Sequence, residues 1–169
     1  MTVVVLTGAS GAGKTAISDR IAADHGGEID IRYFDSIGVP PVEEMNALFG
    51  SPAGWQQAMT SEWMARIAGT MQPGRPVLFE GQMRIAFLVD AAAAMGLACH
   101  IILVDCDDET RRRRLTSDRN QPELASDDMM NWAAFLRREA EQAGAEILDT
   151  SALSIDAAAA TVLDRLHGN

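Results

Sequence analysis

TVVVLTGASGAGKT, residues 2–15, is the stretch that decides the fold. An apolar run stops at Gly8, five small residues follow, and the segment ends in Lys14 and Thr15. Lys14 is the only lysine in a chain whose other thirteen basic residues are arginine. A strand-like segment that breaks into glycines and then a single lysine predicts a strand, a tight loop and a helix N-terminus.

Residues 8–15 fit the pattern G-x-x-x-x-G-K-[ST] of a phosphate-binding loop, or P-loop. Glycines let backbone N–H groups turn inward around a phosphate, and the following helix N-terminus adds unpaired donors and partial positive charge. Lys14 is expected to reach the β- and γ-phosphates, and the Thr15 hydroxyl to bind Mg²⁺. The sequence therefore predicts an ATP·Mg²⁺ site. Its loop residues are Gly8, Ala9, Ser10, Gly11, Ala12, Gly13, Lys14, Thr15 and Ala16.

The bulk composition limits the partners of this 169-residue chain. Its formal net charge is −10 and its pI about 4.6, which argues against a general nucleic-acid or anionic-membrane binder. No apolar run approaches the roughly 18 residues of a membrane span, and the N-terminus lacks a secretory pattern. The segment between Cys99 and Cys106 is a predicted strand, which places the two thiols too far apart for a disulfide. We expect a cytoplasmic monomer or homodimer.

Strand-like and helix-like segments alternate along the chain. Near-continuous apolar runs predict strands at residues 2–7, 29–34, 76–80, 98–105 and 145–149. Helices are predicted at residues 14–25, 54–71, 83–95, 107–118, 127–143 and 154–167. Gly26-Gly27 is the expected C-cap of the first helix, and Ser126 the N-cap of the fifth. The pattern predicts a single α/β domain, residues 1–169, with a five-stranded parallel sheet.

The third predicted strand runs into EGQMR, residues 80–84. This segment resembles the acid-Gly-x-x-Arg signature of adenylate kinase and related nucleotide kinases, although Glu80 replaces the usual Asp and Gln-Met fills the centre. The resemblance implies that Glu80 lies near the magnesium. It also implies that Gly81 and Arg84 contact the substrate, with Arg84 reaching the transferred phosphate. Independently, an acid at the carboxyl end of a parallel strand faces the ligand crevice.

The second predicted strand ends in YFDSIG, residues 33–38. Asp35 is similar to the strand-two aspartate of shikimate-kinase-like and nucleoside-kinase-like enzymes, which contacts the acceptor hydroxyl or a metal-bound water. A carboxylate at that position can orient or deprotonate a hydroxyl that attacks the γ-phosphate. Asp35 is therefore a candidate catalytic, substrate-binding and metal residue.

Five arginines gather in residues 111–119 of an otherwise acidic chain. Four of them are consecutive and point all round a helix, so they cannot all serve one site. Arg114 and Arg119 resemble the lid arginines of small P-loop kinases, which close over ATP, and the expected lid spans residues 114–126. Arg111 and Arg112 remain alternatives. Residues 149–153 resemble the segment that brackets adenine in this group, which makes Thr150 a candidate nucleotide contact.

Together these motifs resemble the small P-loop kinases, both the adenylate-kinase-like and the shikimate and gluconate kinase groups. The resemblance implies a three-layer P-loop NTPase fold with strand order 2-3-1-4-5. It implies transfer of the γ-phosphoryl group of ATP to a hydroxyl of a small acceptor. An ATP-hydrolysing protein that uses Asp105, a regulatory nucleotide-binding module and a nucleoside monophosphate kinase remain alternatives. The sequence argues against a GTPase, because the N-K-x-D guanine motif needs a second lysine.

The acceptor pocket is expected within residues 36–74. Arg66 is the only cation there, whereas a phosphorylated acceptor calls for an arginine clamp. The sequence therefore predicts a neutral or cationic hydroxylated acceptor. Trp55 and Trp63 belong to a helical stripe at i,i+4 spacing, which is typical of a core but also fits an aromatic pocket wall.

Overall fold

The computed structural model describes residues 2–168. Within that range five strands alternate with seven α-helices. The strands are β1 (Val3–Thr7), β2 (Asp30–Tyr33), β3 (Val77–Glu80), β4 (His100–Asp105) and β5 (Glu146–Asp149). The helices are α1 (Lys14–His25), α2 (Val42–Phe49), α3 (Pro52–Thr70), α4 (Ile85–Ala94), α5 (Asp108–Arg113), α6 (Asp127–Ala143) and α7 (Ile155–Leu166).

The five strands form one parallel sheet in the order β2-β3-β1-β4-β5. This confirms the predicted fold class and strand order. β1 is central, because Val5 pairs with Phe79 of β3 on one side and with Ile101 of β4 on the other. The loop that leaves β1 therefore emerges between the carboxyl ends of β3 and β4, where parallel α/β sheets bind ligands.

Helices cover both faces of the sheet. Successive side chains of β1 point to opposite faces, so Val3 and Val5 pack with α3 and α4, whereas Val4 and Leu6 pack with α1 and α7. Helix α6 covers β4 and β5 on the α3–α4 side, through a cluster that includes Leu136. These contacts make three layers, with the strands buried on both sides.

Several helix boundaries follow from local capping. The Ser126 hydroxyl accepts a hydrogen bond from the N–H of Met129 at 3.3 Å, and α6 begins at the next residue. Helix α1 ends at His25 with Gly26 as its C-cap. Both caps confirm the sequence predictions.

Two segments differ from the sequence predictions. Helix α2 was not predicted, because Pro40-Pro41 indicates a turn. Pro41 is instead the extended residue that precedes the helix, and Gly50, with φ 76°, is its C-cap. The helix predicted for residues 107–118 stops as an α-helix at Arg113. A π-helical turn, Arg114–Asp118, follows it, and the Arg119 N–H donates to the carbonyl of Arg114 at 3.0 Å.

No helix within residues 2–168 is both long and apolar enough to cross a bilayer. Cys99 and Cys106 are free thiols, and burial raises the pKa of both.

Candidate active site

The P-loop, residues 8–15, connects β1 to α1 and has a conformation that only its glycines allow. Gly8 has φ 149°, and a Cβ there would lie 2.2 Å from the carbonyl oxygen of Val104. Gly13 has φ 103° and caps α1 from the left-handed region. Side chains at these positions would strain the backbone or collide with β4. The glycines therefore let the loop lie against the sheet with the N-terminus of α1 at its end.

Lys14 is buried at the first turn of α1. Its ammonium donates a hydrogen bond to the carbonyl of Ala9 at 3.3 Å, across the P-loop. Its pKa is lowered to about 8, chiefly by burial; Arg111 and Arg119 contribute to the shift, while Glu80 and Asp35 oppose it. A buried ammonium group has lost its hydration, and this one has a single neutral hydrogen-bond acceptor. An anionic ligand would stabilise its charged form. The loop therefore carries a charge suited to a phosphate.

Thr15 and Glu80 form a pair of oxygen groups beside Lys14. The Thr15 hydroxyl donates to the Glu80 carboxylate at 3.2 Å, and Glu80 is buried at the end of β3. Burial raises the pKa of Glu80, and Asp35 raises it further, although Lys14 and Thr15 oppose the shift. A desolvated carboxylate beside a hydroxyl fits a hard cation such as Mg²⁺, which prefers oxygen ligands and is usually completed by substrate phosphates.

Asp35 is exposed in the 3₁₀ turn that follows β2. It lies close enough to influence the pKa of both Lys14 and Glu80. Residues 2–168 contain no cluster of three or more histidine, cysteine or acidic side chains arranged for a metal. The chain thus offers few protein ligands here, which is the usual situation for Mg²⁺ that arrives with a nucleotide.

A cavity of about 500 Å³ opens between the P-loop, the π-helical turn and the start of α7. Arg114 lines it and donates to the hydroxyl of Thr150 at 2.9 Å and to the carbonyl of Thr150 at 2.8 Å. Arg119 also lines it, and its side chain makes no hydrogen bond or ion pair with the rest of residues 2–168. Leu153 and Ile155 give the far end of the cavity an apolar wall. The cavity therefore pairs a phosphate-binding end with an end suited to a base.

The other three arginines of the run lie elsewhere. Arg111 is fully buried beneath the P-loop and donates to the carbonyl of Ser10 at 2.9 Å. Arg112 binds Asp127 of α6 at 2.8 Å, and Arg113 is exposed. The four consecutive arginines thus point in different directions around the helix, and Arg114 is the one of the four that lines the cavity.

Asp105 ends β4, on the opposite side of β1 from Glu80. Its carboxylate accepts from Arg111, from Arg137 of α6 at 2.8 Å, and from the N–H of Cys106 at 2.9 Å. Only 4% of the residue is exposed. Both carboxylate oxygens therefore have protein partners.

A second cavity, of about 360 Å³, lies between the starts of α3 and α4 and the first half of α6. Its lining is Pro52, Ala53, Gln56, Arg84, Trp132 and Phe135. Gln56 donates to the carbonyl of Gln82 at 2.9 Å, and the Gln82 side chain accepts from Ser10 of the P-loop at 3.3 Å. The two cavities therefore lie on different sides of the loop.

Arg84 takes part in the wall of this second cavity. Its guanidinium binds Glu139 of α6 at 2.6 Å and lies 4.8 Å from the ring centres of both Phe87 and Phe135. Its charge is thus balanced by a carboxylate that is itself mostly buried. Gly81 is in tight contact with the core, since a Cβ there would lie 2.4 Å from that of Phe34.

Trp55 and Trp63 pack in the core. Trp55 meets Phe34 edge-to-face at 5.7 Å, and the Trp63 indole donates to the carbonyl of Phe34 at 3.2 Å. Trp55 also borders a third cavity, of about 460 Å³, beside α2; its lining comes from the predicted acceptor segment, residues 36–74, and includes Glu44, Glu62 and Arg66. Both tryptophans therefore support the turn that carries Asp35.

The sequence analysis did not predict that α6 lines part of the second cavity. Trp132, Phe135 and Glu139 lie at i, i+3 and i+7, which places them on one helical face. Trp132 stacks on Phe135 at 5.4 Å, and its buried indole N–H has no acceptor within residues 2–168. That spacing was the available signal, but it equally fits a core stripe, and the sequence does not reveal that Arg84 lies opposite.

A glycine-rich loop that begins a helix, a buried lysine, a hydroxyl–carboxylate pair and a parallel sheet of this order define a P-loop nucleotide-binding protein. A family model described as "AAA domain" matches residues 4–131, more than half of the chain, and the chain belongs to this family. A comparison with curated proteins finds no match.

Solved structures similar to this chain extend over almost its whole length. A sugar kinase from a Janibacter species has a TM-score of 0.69 and 17% identity, covering 99% of this chain and 95% of its own. Shikimate kinase from Acinetobacter baumannii, in complex with shikimate, has a TM-score of 0.65 and 16% identity, covering 100% and 94%. APS kinase from Mycobacterium tuberculosis, in complex with AMPPNP and APS, has a TM-score of 0.63 and 17% identity, covering 98% and 97%. The resemblance to small P-loop kinases is confirmed as a resemblance of fold.

Proposed function

We propose that this protein is an ATP-dependent kinase that transfers the γ-phosphoryl group to a hydroxyl of a small, non-phosphorylated molecule. The observation that carries the proposal is a second cavity that lies on a different side of the P-loop from the first. A kinase needs a site for the nucleotide and another for the acceptor, whereas an ATPase needs only the first. The similar fold of shikimate, sugar and APS kinases, one of them solved with AMPPNP, supports this choice and supports ATP as the donor.

In this proposal the chain positions the reacting groups and neutralises charge. Lys14 and the P-loop N–H groups bind the β- and γ-phosphates, and Arg119 is the cation available for charge that develops during transfer. Thr15 and Glu80 would hold Mg²⁺, and Asp35 lies near them. Mg²⁺ supplies charge neutralisation at the phosphates. Asp35 orients or deprotonates the acceptor hydroxyl.

The ATP-hydrolysing alternative would use Asp105 as its metal or water-positioning acid. Asp105 is instead bound by Arg111, Arg137 and the N–H of Cys106. Freeing it would leave two guanidinium groups without their shared carboxylate, one of them fully buried, at a cost of several kcal/mol. Within residues 2–168, Glu80 has only Thr15 as a hydrogen-bond partner, with Lys14 nearby, which favours Glu80 for the role.

The acceptor is proposed to be neutral or cationic because its surroundings offer no unbalanced cation. Arg84 is paired with Glu139 in the second cavity, and Arg66 pairs with Glu62 on α3. A phosphate there would compete with a partly buried carboxylate for Arg84. Trp132 and Phe135 instead offer apolar area with one indole donor, which suits a nucleoside, sugar or amino-sugar-like ring.

The test is ADP release from ATP·Mg²⁺ with a panel of neutral alcohols, cationic alcohols and nucleoside monophosphates. We expect release that depends on a neutral or cationic alcohol. Efficient phosphorylation of nucleoside monophosphates alone would overturn the acceptor class. Release that needs no acceptor would favour the ATPase, and binding without release would favour a regulatory module.

Two variants locate the acceptor. Asp35→Asn should abolish transfer and leave the affinity for ATP unchanged, because its carboxylate acts on the hydroxyl. Trp132→Leu should raise the KM of the acceptor by about tenfold while sparing the KM of ATP, through loss of buried aromatic contact. Arg113→Met, an exposed change on the neighbouring helix, is the control. Equal effects on ATP and acceptor would remove the second cavity from the proposal.

A further inference from the structure

Arg111 is an unusual residue to find beneath the P-loop. It is fully buried, with 0% exposure, and its stem packs against Gly11, where a Cβ would lie 3.1 Å from the Arg111 Cγ. An apolar residue could fill the same space without the cost of burying a guanidinium. The charge must therefore be balanced locally, and its hydrogen bonds show where it acts.

The guanidinium joins the end of β4 to the P-loop. One terminal nitrogen donates to the carbonyl of Ser10 at 2.9 Å. The other donates to Asp105 and to the carbonyl of Cys106, at 3.2 Å for the latter. Because the Ser10 carbonyl is held against the sheet, the loop's N–H groups are left free to face an anion.

Asp105 also binds helix α6, which follows the lid, residues 114–126. Arg111 comes three residues before the lid, and Arg137 lies on α6 after it; both bind the Asp105 carboxylate. The three charged groups sum to one positive charge behind the P-loop. That sign favours a polyphosphate in an otherwise acidic protein.

We propose that Arg111 is a positioning residue that fixes the P-loop for phosphate binding, and that Asp105 ties the two helices that flank the lid, α5 and α6, to this loop through Arg111 and Arg137. This rests on the nucleotide-binding part of the proposed function and is independent of the acceptor. It assigns Arg111 no contact with the nucleotide.

The first test measures ADP affinity by calorimetry and amide hydrogen exchange of residues 8–15 in the free protein. Arg111→Met should weaken ADP binding by about 10- to 100-fold, the range for one hydrogen bond to a charged group, and should speed exchange of the loop. Arg111→Lys should recover part of the affinity. Arg113→Met is the matched control and should change neither quantity.

Loss of stability must be separated from loss of positioning. Arg111→Met leaves Asp105 with Arg137 and the N–H of Cys106 as its partners. The double variant Arg111→Met/Asp105→Asn should therefore restore part of the melting temperature, because it removes a buried carboxylate charge that has lost one of its two arginines. We expect its ADP affinity and loop exchange to stay impaired. If they return to wild-type values with the melting temperature, Arg111 is merely structural and the proposal is wrong.

Arg137→Met tests the lid. Exchange of residues 114–126 should rise while that of residues 8–15 stays at the wild-type rate, because Arg111 keeps its carboxylate. An unchanged lid, or a loop as mobile as in Arg111→Met, would overturn the tie. If wild-type protein fails to bind ADP, the proposed function fails, yet the exchange measurements still decide whether Arg111 orders the loop.

Discussion

Glu80 and Asp105 occupy equivalent places and have opposite surroundings. Each ends a strand beside β1, each follows an apolar run, and they are 7% and 4% exposed. Glu80 faces the buried ammonium of Lys14 and the Thr15 hydroxyl, whereas Asp105 accepts from two arginines and a backbone N–H. The role of an acidic residue at the end of a strand therefore depends on its partners in space, because the sequence around the two acids looks alike.

The largest effect should come from Lys14, the cation on the Glu80 side. Lys14→Ala should lower the rate of phosphoryl transfer by about 1,000-fold, because it removes a charge aimed at the β- and γ-phosphates. The fold should persist, which circular dichroism can check. Transfer at a rate within tenfold of wild type would mean that the loop does not place its lysine on the phosphates.

Changing each acid to its amide contrasts the two sites directly. Glu80→Gln should lower the transfer rate by about 100-fold, through loss of the metal-side charge. It should raise the melting temperature at neutral pH. Because the pKa of Glu80 is raised, its ionised form opposes folding, and that penalty grows as pH rises through the folded-state pKa.

Asp105→Asn is the counterpart and should destabilise the protein, whereas Glu80→Gln should stabilise it. It leaves Arg111 buried without its charge partner, so the free energy of unfolding should fall by about 3 kcal/mol or more. Denaturant unfolding of both variants, beside ADP-release rates, measures the contrast. Similar stability losses for the two amides would remove the distinction between the acids.

Arg119→Ala should have a smaller effect that is confined to the transition state. We expect kcat to fall by about 10- to 100-fold with little change in the KM of ATP, since a lid arginine acts on charge that develops during transfer. Steady-state kinetics decide this, with Arg113→Met as the control. A raised KM with unchanged kcat would reassign Arg119 to ground-state binding.

The smallest effect concerns the titration of Lys14. Its pKa of about 8 predicts half-maximal reactivity with an amine reagent near pH 8, against 10.5 for an ordinary lysine. Nucleotide affinity should fall above that pH as the charge is lost. Unfolded protein keeps this proton to higher pH, so stability should rise between about pH 8 and 10.5.

Mass spectrometry of the labelled protein can follow this side chain without ambiguity. Lys14 is the only lysine, so labelling outside it is restricted to the N-terminus. ATP·Mg²⁺ should protect Lys14 while the N-terminus continues to react. Labelling that is insensitive to saturating nucleotide would contradict the assignment of the P-loop.

The sequence predicted the strands, most helices and the P-loop, because each depends on neighbours in the chain. It missed α2, since Pro40-Pro41 indicates a turn whether or not a helix begins after it. It extended the helix before the lid through residue 118, because nothing local distinguishes an α-helical turn from the π-helical turn that Arg114–Asp118 adopts. The resemblance to small P-loop kinases, more than periodicity, provided the strand order.

By itself the sequence determined the parallel α/β sheet and predicted a phosphate-binding loop with Lys14, since the glycines, the lysine and the apolar strands act over a few residues. Only the tertiary structure decided which charges are neutralised. Arg84 meets Glu139 across 55 positions, and Asp105 meets Arg137 across 32. Electrostatic pairing depends on distance in space, and the packing of α6 on the sheet, which brings these groups together, has no local signature in the chain.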